Sequence, residues 1–346
     1  MKASVIIPTC NRADQLFKSM NSLLNIDFDK TQYEIIVVDN GSKDSTKQVV
    51  EQCTQEYSDH HIRYFFDDIP GLLTGRHRGA KEALSEILVF VDDDIEADKG
   101  WLSAIVDTFS THPDVHLVGG KCLPKFEKAP PEWLEYFWNL LSGGGKYMGE
   151  LSLIDLGDEE KVIDPMFVWG LNFSIRKSTL YEFGGFHPDV MPPQYQHLLG
   201  DGETGISLNM KVKGYKAYYH PKAKVYHDVP AERMTIAYFD KRYFYQGVCN
   251  SYTTVRKNGG IVHIPAQLNI LRKATAILKQ SFGLNLRTSK KTIQSDAGWE
   301  KDMLLTRFQS IQQAGYNFHQ EMVRKSPEVL HWVLKENYFD YKLPVQ

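Results

Sequence analysis

Short apolar runs rich in branched residues alternate with helical patterns over the first 120 residues of the chain. The helical pattern after the first run places a set of apolar residues on one face, namely Leu16, Phe17, Met20, Leu23 and Leu24. The predicted strands are Val5–Ile7, Glu34–Val38, Ile62–Phe66, Ile87–Val91 and Val115–Val118, and the later predicted helices are Asp44–Glu56, Thr74–Glu86 and Trp101–Phe109. This alternation predicts an α/β fold with a Rossmann-like, mostly parallel sheet. Strands that are apolar throughout predict helices on both faces of that sheet.

The pattern changes over residues 121–165, which contain Pro130-Pro131, several aromatic residues, Gly143–Gly145 and the acidic run Asp158–Glu160. These residues predict a long, loop-rich excursion. Regular patterns then return, at Phe167–Arg176, in a helix around Glu203–Lys213 and in a strand pair at Lys216–Tyr219 and Ala223–Tyr226.

The last third of the chain has mostly helical patterns, and its charge is uneven. The 346 residues carry a net charge of −3, but residues 241–295 contain 10 Lys and Arg and no Asp or Glu, so the rest carries −13. An apolar helical stripe lies within this basic segment, with three cations beside it: Ile270, Ala274, Ile277, Leu278 and Phe282, then Arg272, Lys273 and Lys279. Two interpretations stay open: a contact with an anionic membrane, or a helical cap that packs on the rest of the chain or serves a homodimer.

Composition and cysteine spacing exclude several classes of protein. With 42% hydrophobic residues and a nearly balanced charge, the chain is predicted to be soluble and globular, with no nucleic-acid partner. Its apolar runs are about as short as Ile87–Val91, whereas a membrane span needs about 20 residues. We expect a cytoplasmic protein, at the inner face of the membrane if the basic segment binds lipid. The four cysteines form no C-x-x-C pair, which argues against a zinc knuckle or disulfide scaffold, and Cys10 is either a nucleophile or a packed thiol.

Polar residues follow three of the predicted strands. Residues 8–12 follow the first strand, residues 39–42 the second and Asp92–Asp94 the fourth. Ligands of such sheets bind outside the carboxyl ends of the strands, so we expect these loops to form one site. Asp39 is suited to accept hydrogen bonds from a base or ribose, and Arg12 to bind a phosphate.

Three consecutive carboxylates after a buried strand are unfavourable unless a cation or hydrogen bonds compensate them. Alternate residues of an extended segment point the same way, so we expect Asp92 and Asp94 to converge and Asp93 to turn aside. Such oxygen ligands suit Mg²⁺ or Mn²⁺ shared with a phosphate, and the alternative is an acidic, solvated turn. His227 is either a nitrogen ligand or a structural histidine.

Four motifs, in this order, resemble those of the family 2 glycosyltransferases, which are inverting enzymes of the GT-A fold. They are residues 4–12 (SVIIPTCNR), 36–42 (IVVDNGS), 71–80 (GLLTGRHRGA) and 89–94 (VFVDDD). The resemblance continues through residues 169–176, 184–186, 200–205, 218–221 and 225–227, and it covers roughly residues 2–230. It does not extend to the C-terminal third.

The resemblance implies a pocket for a nucleotide-sugar donor. In that pocket Asp39 faces the base, and Arg76 approaches the diphosphate from the opening turn of its helix. Asp92 and Asp94 match the family's D-x-D element, which implies that Asp92 lies near the ribose and that Asp94 binds a Mn²⁺ or Mg²⁺ ion. His227 matches the histidine that completes this metal site in the family. The residues implied in donor binding are Pro8, Thr9, Arg12, Asp39, Arg76, Asp92, Asp93, Trp169 and Asn172.

Inverting transfer also requires a general base. Many relatives place it in an E-D-x-D-L stretch at the start of a helix, but this chain has Gly202-Glu203-Thr204-Gly205-Ile206. Alignment on Ile206 puts Glu203 at the base position, with Asp201 as the second candidate, and the alternative for both is helix N-capping. Trp101 and Trp133 either line the acceptor side or belong to the core.

These features predict a metal-dependent inverting glycosyltransferase, with a GT-A domain at residues 1–230 and a mainly helical, basic extension at residues 231–346. We expect a UDP-, GDP- or dTDP-sugar donor and a glycan or lipid-linked acceptor, in polysaccharide or glycoconjugate synthesis. The alternative is a non-catalytic partner subunit that binds nucleotide sugars. A dinucleotide-dependent dehydrogenase is excluded, because residues 8–12 stand where G-x-G-x-x-G is required. A metal-dependent phosphohydrolase is disfavoured, since its acidic motif would follow the first strand.

Overall fold

The computed structural model describes residues 1–69, 71–142, 144–261 and 301–344. The strands are β1 Ala3–Thr9, β2 Tyr33–Asp39, β3 His61–Phe66, β4 Ile87–Val91, β5 Ile95–Ala97, β6 Val115–Gly119, β7 Cys122–Phe126, β8 Leu141–Ser142, β9 Gly145–Met148, β10 Leu153–Asp155, β11 Lys161–Ile163, β12 Asn172–Arg176, β13 Lys216–Tyr219 and β14 Val225–Val229. The α-helices are α1 Ala13–Leu24, α2 Thr46–Glu56, α3 Leu72–Glu82, α4 Trp101–Thr111, α5 Glu132–Trp138, α6 Lys177–Glu182, α7 Thr204–Lys213, α8 Ile236–Lys257, α9 Lys301–Lys325 and α10 Pro327–Leu334.

The main sheet has the strand order β11-β13-β6-β12-β4-β1-β2-β3. Strands β3, β2, β1 and β4 run parallel, and β12 is antiparallel to both of its neighbours. The predicted α/β fold is confirmed, and the five predicted strands of the N-terminal part are present, with ends that extend by up to two residues. The parallel half places the ends of β1, β2 and β4 side by side.

Alternating residues of the central strands pack into two apolar layers. Val5 and Ile7 of β1 lie in the layer formed with α1 and α4, while Ile6 lies in the layer with α3. The expectation of strands buried throughout is wrong for β3, whose residues are exposed or only half-buried. The physical reason is that β3 is the edge strand and has a neighbour on one side only.

A second sheet, ordered β5-β14-β7-β10-β9-β8, occupies much of the predicted loop-rich excursion. Four of its strands, β7 to β10, lie within residues 121–165, so that stretch is more regular than predicted. The predicted pairing of β13 with β14 is wrong, because β13 lies beside β6 in the main sheet and β14 lies between β5 and β7. The register of β14 on β5 places His227 opposite Ile95, the residue after Asp94.

The C-terminal helices share a hydrophobic core with the main sheet. Tyr252 of α8, Trp332 of α10 and Tyr338 belong to the same buried cluster as Phe90 of β4. The apolar stripe and its cations between residues 270 and 282 lie outside the described residues, as do most of residues 241–295. Within the described ranges, no helix combines the length and apolarity that a membrane crossing requires.

His77 of α3 joins the C-terminal tail to the loop that follows α6. Its Nδ1 lies 3.1 Å from the Tyr338 carbonyl oxygen, and its Nε2 accepts from the Phe186 N–H at 2.8 Å. Burial lowers the pKa of His77 to about 3. The imidazole is therefore neutral in the folded protein.

This buried histidine makes stability sensitive to acid. The unfolded chain takes up the His77 proton near pH 6.5, whereas the folded chain does so near pH 3, so the free energy of unfolding decreases as pH falls between those values. We expect the urea midpoint to fall between pH 7 and pH 5, and to fall less in His77→Gln, which has no ionisable group there. If the urea midpoint fell equally with pH in both proteins, His77 would not be the source of the acid sensitivity.

Candidate active site

The loops that follow β1 and β4 meet in a network of buried carboxylates and one arginine. Thr9 Oγ1 donates to Asp93 Oδ2 at 2.7 Å. Arg12 places Nη1 2.7 Å from Asp93 Oδ1 and Nη2 2.8 Å from Asp94 Oδ2. The expectation that Asp93 turns aside is wrong, because the chain turns at residues 93 and 94 and the alternation of an extended strand is lost. Burial, opposed by the charge of Arg12, raises the pKa of Asp93 to about 7.

Pro8, another residue implied in donor binding, lies at the end of β1 and is buried beneath α3. A Cβ at Gly75 of α3 would come within 2.8 Å of Pro8 Cβ, so the helix packs directly on the proline. Pro8 is therefore packed against α3, next to the residues 9–12 that follow β1.

Asp39 is fixed at the end of β2. Its Oδ1 accepts from the Ser42 N–H and its Oδ2 from the Tyr64 hydroxyl, both at 2.8 Å. Desolvation, together with that carboxylate, raises the pKa of Tyr64.

Cys10, in the loop after β1, is exposed, so the alternative of a packed thiol is wrong. Partial desolvation of its thiol and the negative charge of Asp39 raise the pKa of that thiol. A raised pKa leaves little thiolate, which argues against a nucleophilic role.

Arg76 is buried between Asp92, in the loop after β4, and Glu203, at the start of α7. Its guanidinium lies 3.5 Å from Asp92 Oδ1 through Nη2 and 3.4 Å from Glu203 Oε2 through Nη1. A Cβ at Gly170 would collide with Nη2, so a larger residue there would displace the guanidinium from this position. Arg76 is in the second turn of α3 and not in its opening turn, since α3 begins at Leu72. The two contacts are long, and Nε has no hydrogen-bond partner in the described protein.

The two candidate bases have different surroundings. Glu203 Oε1 accepts from the Gly170 N–H at 3.0 Å, and its side chain keeps 22% of its exposure. Asp201 is buried, with Oδ1 2.5 Å from His187 Nδ1 and Oδ2 accepting from Thr253 Oγ1 at 2.7 Å. The alternative of helix N-capping is wrong for Glu203, which occupies the cap position of α7 without a side-chain hydrogen bond to the helix. The Asp201 carboxylate contacts α8 and His187, so it supports the loop that carries Glu203.

Asp94 and His227 face each other across the pair β5 and β14. His227 Nε2 lies 3.4 Å from Asp94 Oδ1, and Nδ1 lies 2.8 Å from the Leu151 carbonyl oxygen. A carbonyl oxygen only accepts, so we assign the proton to Nδ1, which leaves the lone pair of Nε2 directed at Asp94. Burial alone would raise the pKa of Asp94, but the positive charges of Arg12 and Arg233 beside it hold that pKa well below its usual range.

This pair fits a divalent cation shared with a diphosphate. One imidazole nitrogen and one carboxylate are suitable ligands, and the carbonyl behind Nδ1 orients the ring as in known metal sites. No cluster of three or more His, Cys, Asp or Glu suited to a metal occurs in the described part of the chain. The remaining positions would have to come from the ligand or from water.

Of the remaining aromatic and amide candidates, one is half-buried and three are buried. Trp169 is half-buried, and its Nε1 donates to the Met166 carbonyl at 3.0 Å. Asn172 is buried, and its amide joins Trp101 Nε1 to the Ala223 carbonyl, each at 2.9 Å, so it supports the site instead of facing a ligand. Trp101 and Trp133 are buried in the core, and the acceptor-side alternative is wrong for both.

Two functional candidates were missed from the sequence. Asp189 lies near Gly202, and burial together with the charge of Glu203 raises the pKa of its carboxyl to about 6. Arg233 donates from Nη1 to His227 Nε2 and from Nη2 to Asp94 Oδ2, both at 3.0 Å. The glycine- and proline-rich turn at residues 184–193 was a signal for Asp189. Arg233 had none beyond its position shortly after His227.

Known proteins similar to this chain are glycosyltransferases. The profile described as Glycosyl transferase family 2 matches residues 4–178. Glycosyltransferase AglE of Haloferax volcanii is 37% identical over 117 residues, which are 34% of this chain and 38% of that protein. Glucosyl-dolichyl phosphate glucuronosyltransferase of the same organism is 23% identical over 255 residues, 71% of this chain and 75% of that protein. The chain thus spans well under half of the first relative.

A solved structure supports the same fold. Mannosyltransferase PcManGT from Pyrobaculum calidifontis, in complex with GDP-Man and Mn²⁺, matches with a TM-score of 0.54 at 18% identity. The match covers 96% of this chain and 85% of that one, which confirms the predicted GT-A fold and the C-terminal helices. With a family profile over just over half of its length, the chain belongs to glycosyl transferase family 2.

Proposed function

We propose that the whole protein is a metal-dependent, inverting glycosyltransferase that moves a sugar from a nucleoside diphosphate to an acceptor hydroxyl. One observation carries the proposal: the Arg76 guanidinium lies 3.4 Å from Glu203 and 3.5 Å from Asp92. A carboxylate suited to act as base and the first aspartate of the acidic motif are therefore held by one buried cation. Both lie at the edge where ligands of parallel sheets bind.

Glu203 is the proposed general base. It takes the proton of the acceptor hydroxyl while that oxygen forms a bond to the anomeric carbon. The bond from the anomeric carbon to the diphosphate breaks on the opposite face, and the nucleoside diphosphate leaves with the electron pair. The Gly170 N–H and Arg76 hold the carboxylate, while its partial exposure leaves it open to a hydroxyl. Asp201 acts as a positioning residue through His187 and Thr253.

Asp94 and His227 are the proposed ligands of Mn²⁺ or Mg²⁺. When bound, the ion would neutralise the negative charge that develops on the departing diphosphate. Thr9, Arg12, Asp39, Asp92 and Asp93 line or support the nucleotide side of the proposed site, and Trp169 offers a ring face toward a sugar. Their grouping at the ends of β1, β2 and β4 supports this assignment.

The donor class is proposed as a UDP-, GDP- or dTDP-sugar, and the acceptor as a glycan or lipid-linked glycan. One H. volcanii relative carries a dolichyl phosphate in its name, which supports a lipid-linked acceptor. The test is nucleotide release from a panel of these donors with Mn²⁺, Mg²⁺ or EDTA. We expect release from one donor class with metal and none with EDTA. Release at an unchanged rate in EDTA would contradict metal dependence.

Asp94→Asn is expected to lose metal-dependent donor binding, because an amide oxygen is a weaker ligand than a carboxylate. Calorimetric titration of the donor found in the panel, with and without Mn²⁺, measures this. The matched control is Asp228→Asn, next to His227 but on the other face of β14, which should bind as the unchanged protein does. If Asp94→Asn keeps the full Mn²⁺ effect, Asp94 is not a metal ligand.

A further inference from the structure

The Arg233 guanidinium lies where the metal of the proposed function would bind. Nη1 donates to His227 Nε2 and Nη2 to Asp94 Oδ2, each at 3.0 Å. These groups are the lone pair and the carboxylate that a divalent ion would use. Since Nδ1 faces the Leu151 carbonyl, Nε2 has no proton of its own and accepts from Arg233. One guanidinium thus satisfies both proposed ligands.

Arg233 is placed so that its side chain can turn away from Asp94 and His227. It belongs to a short turn, Ala231–Met234, between β14 and α8, and the turn is anchored by the buried side chain of Met234. The Arg233 side chain keeps 21% of its exposure, so its long stem can swing toward solvent or ligand. Asp94 would keep its other guanidinium partner, Arg12, at 2.8 Å.

We propose that Arg233 is a resident cation that competes with the divalent metal for Asp94 and His227. The inference rests on the proposed function, because the competing metal is the one assigned there. In the donor-free protein, metal binding must first break two hydrogen bonds of the guanidinium, one of them to a carboxylate. The released guanidinium is then next to the site where the donor diphosphate would bind and can pair with that anion. Metal and donor are therefore expected to bind together.

The direct test is the affinity of the donor-free protein for Mn²⁺, measured from the electron paramagnetic resonance signal of the free ion. We expect Arg233→Ala to bind Mn²⁺ about tenfold more tightly than the unchanged protein, because the competitor is gone. Arg233→Lys keeps the charge but cannot bridge both ligands, so its affinity should lie between the two.

The matched control is Lys125→Gln, which removes one positive charge from β7, the strand beside β14. Lys125 is exposed and pairs with Glu96, not with either ligand. If charge alone mattered, this variant would gain as much Mn²⁺ affinity as Arg233→Ala. We expect it to stay within about twofold of the unchanged protein, as is typical of screened surface charges.

Thermal unfolding supplies a second readout that does not depend on activity. In EDTA, Arg233→Ala should melt below the unchanged protein, since Asp94 and His227 lose a partner. Added Mn²⁺ should raise its Tm by more than it raises that of the unchanged protein. Equal or weaker Mn²⁺ binding by Arg233→Ala would overturn the inference and leave metal dependence intact. If no variant binds Mn²⁺, alone or with UDP, GDP or dTDP, both the inference and the metal dependence fail.

Discussion

Glu203→Gln is expected to lower the transfer rate by about 10²–10⁴-fold while the nucleotide-sugar donor still binds. Glutamine has nearly the same shape as glutamate and keeps a carbonyl oxygen that can accept from the Gly170 N–H, but it cannot take up a proton. The comparison is between the turnover number and the donor dissociation constant of the two proteins. A loss confined to donor affinity would mean that Glu203 binds the donor and is not the base.

Asp201→Asn is the matched control for the choice of base. The structure buries Asp201 between His187 and Thr253, so the substitution should act on stability through those two contacts. Losing the charge beside His187 is expected to lower the free energy of unfolding by about 1–3 kcal/mol and to leave much of the activity of the folded protein. Abolished transfer in Asp201→Asn, together with an active Glu203→Gln, would show that the alignment on Ile206 is wrong.

Arg76→Met is expected to lower both the stability of the protein and its affinity for the donor. Arg76 is buried, and the carboxylates of Asp92, Asp189 and Glu203 all lie within reach of its charge. Removing one partner of such a buried cluster typically lowers the free energy of unfolding by about 3–5 kcal/mol, because the remaining charges stay buried and unpaired. We also expect donor binding to be lost, since the guanidinium retains an unpaired Nε and only two long contacts.

The control for this variant is Arg78→Met, two residues along the same helix. Arg78 is partly exposed and pairs with Glu82 one turn later, so its loss should change the free energy of unfolding by less than about 1 kcal/mol and leave donor binding unchanged. Urea unfolding and donor calorimetry on both variants separate the two cases. Equal behaviour of Arg76→Met and Arg78→Met would contradict the central role of Arg76.

Arg76→Lys keeps the test informative if Arg76→Met does not fold. Lysine retains the charge, but its single ammonium cannot reach Asp92 and Glu203 from the two ends of a planar group. We expect a folded protein with weakened donor binding and a transfer rate below that of the unchanged protein. Full activity in Arg76→Lys would show that only the charge, and not the bridge between Asp92 and Glu203, matters.

The N-terminal fold was largely predictable from the sequence, because burial on both faces of a parallel sheet leaves a strong local pattern. Strands such as β1 and β4 are short, continuous apolar runs, and α1 repeats its apolar residues at helical spacing. The burial of β3 was the exception. Its sequence pattern predicts a strand, but it does not show that the strand lies at the edge of the sheet and stays partly exposed. The second sheet was missed because its strands are short and mixed in composition.

The sequence by itself determined which residues follow the strands, and hence that Arg12, Asp39 and Asp92–Asp94 belong to one edge of the sheet. Tertiary structure alone decided the partners of those residues. It paired Asp93 and Asp94 with the same arginine, buried Arg76 between Asp92 and Glu203, and turned Asn172 into the core. Local periodicity reports which face of an element is buried, but contacts such as that of Arg233 with Asp94 depend on strand pairing between distant segments, which the periodicity of neither segment encodes.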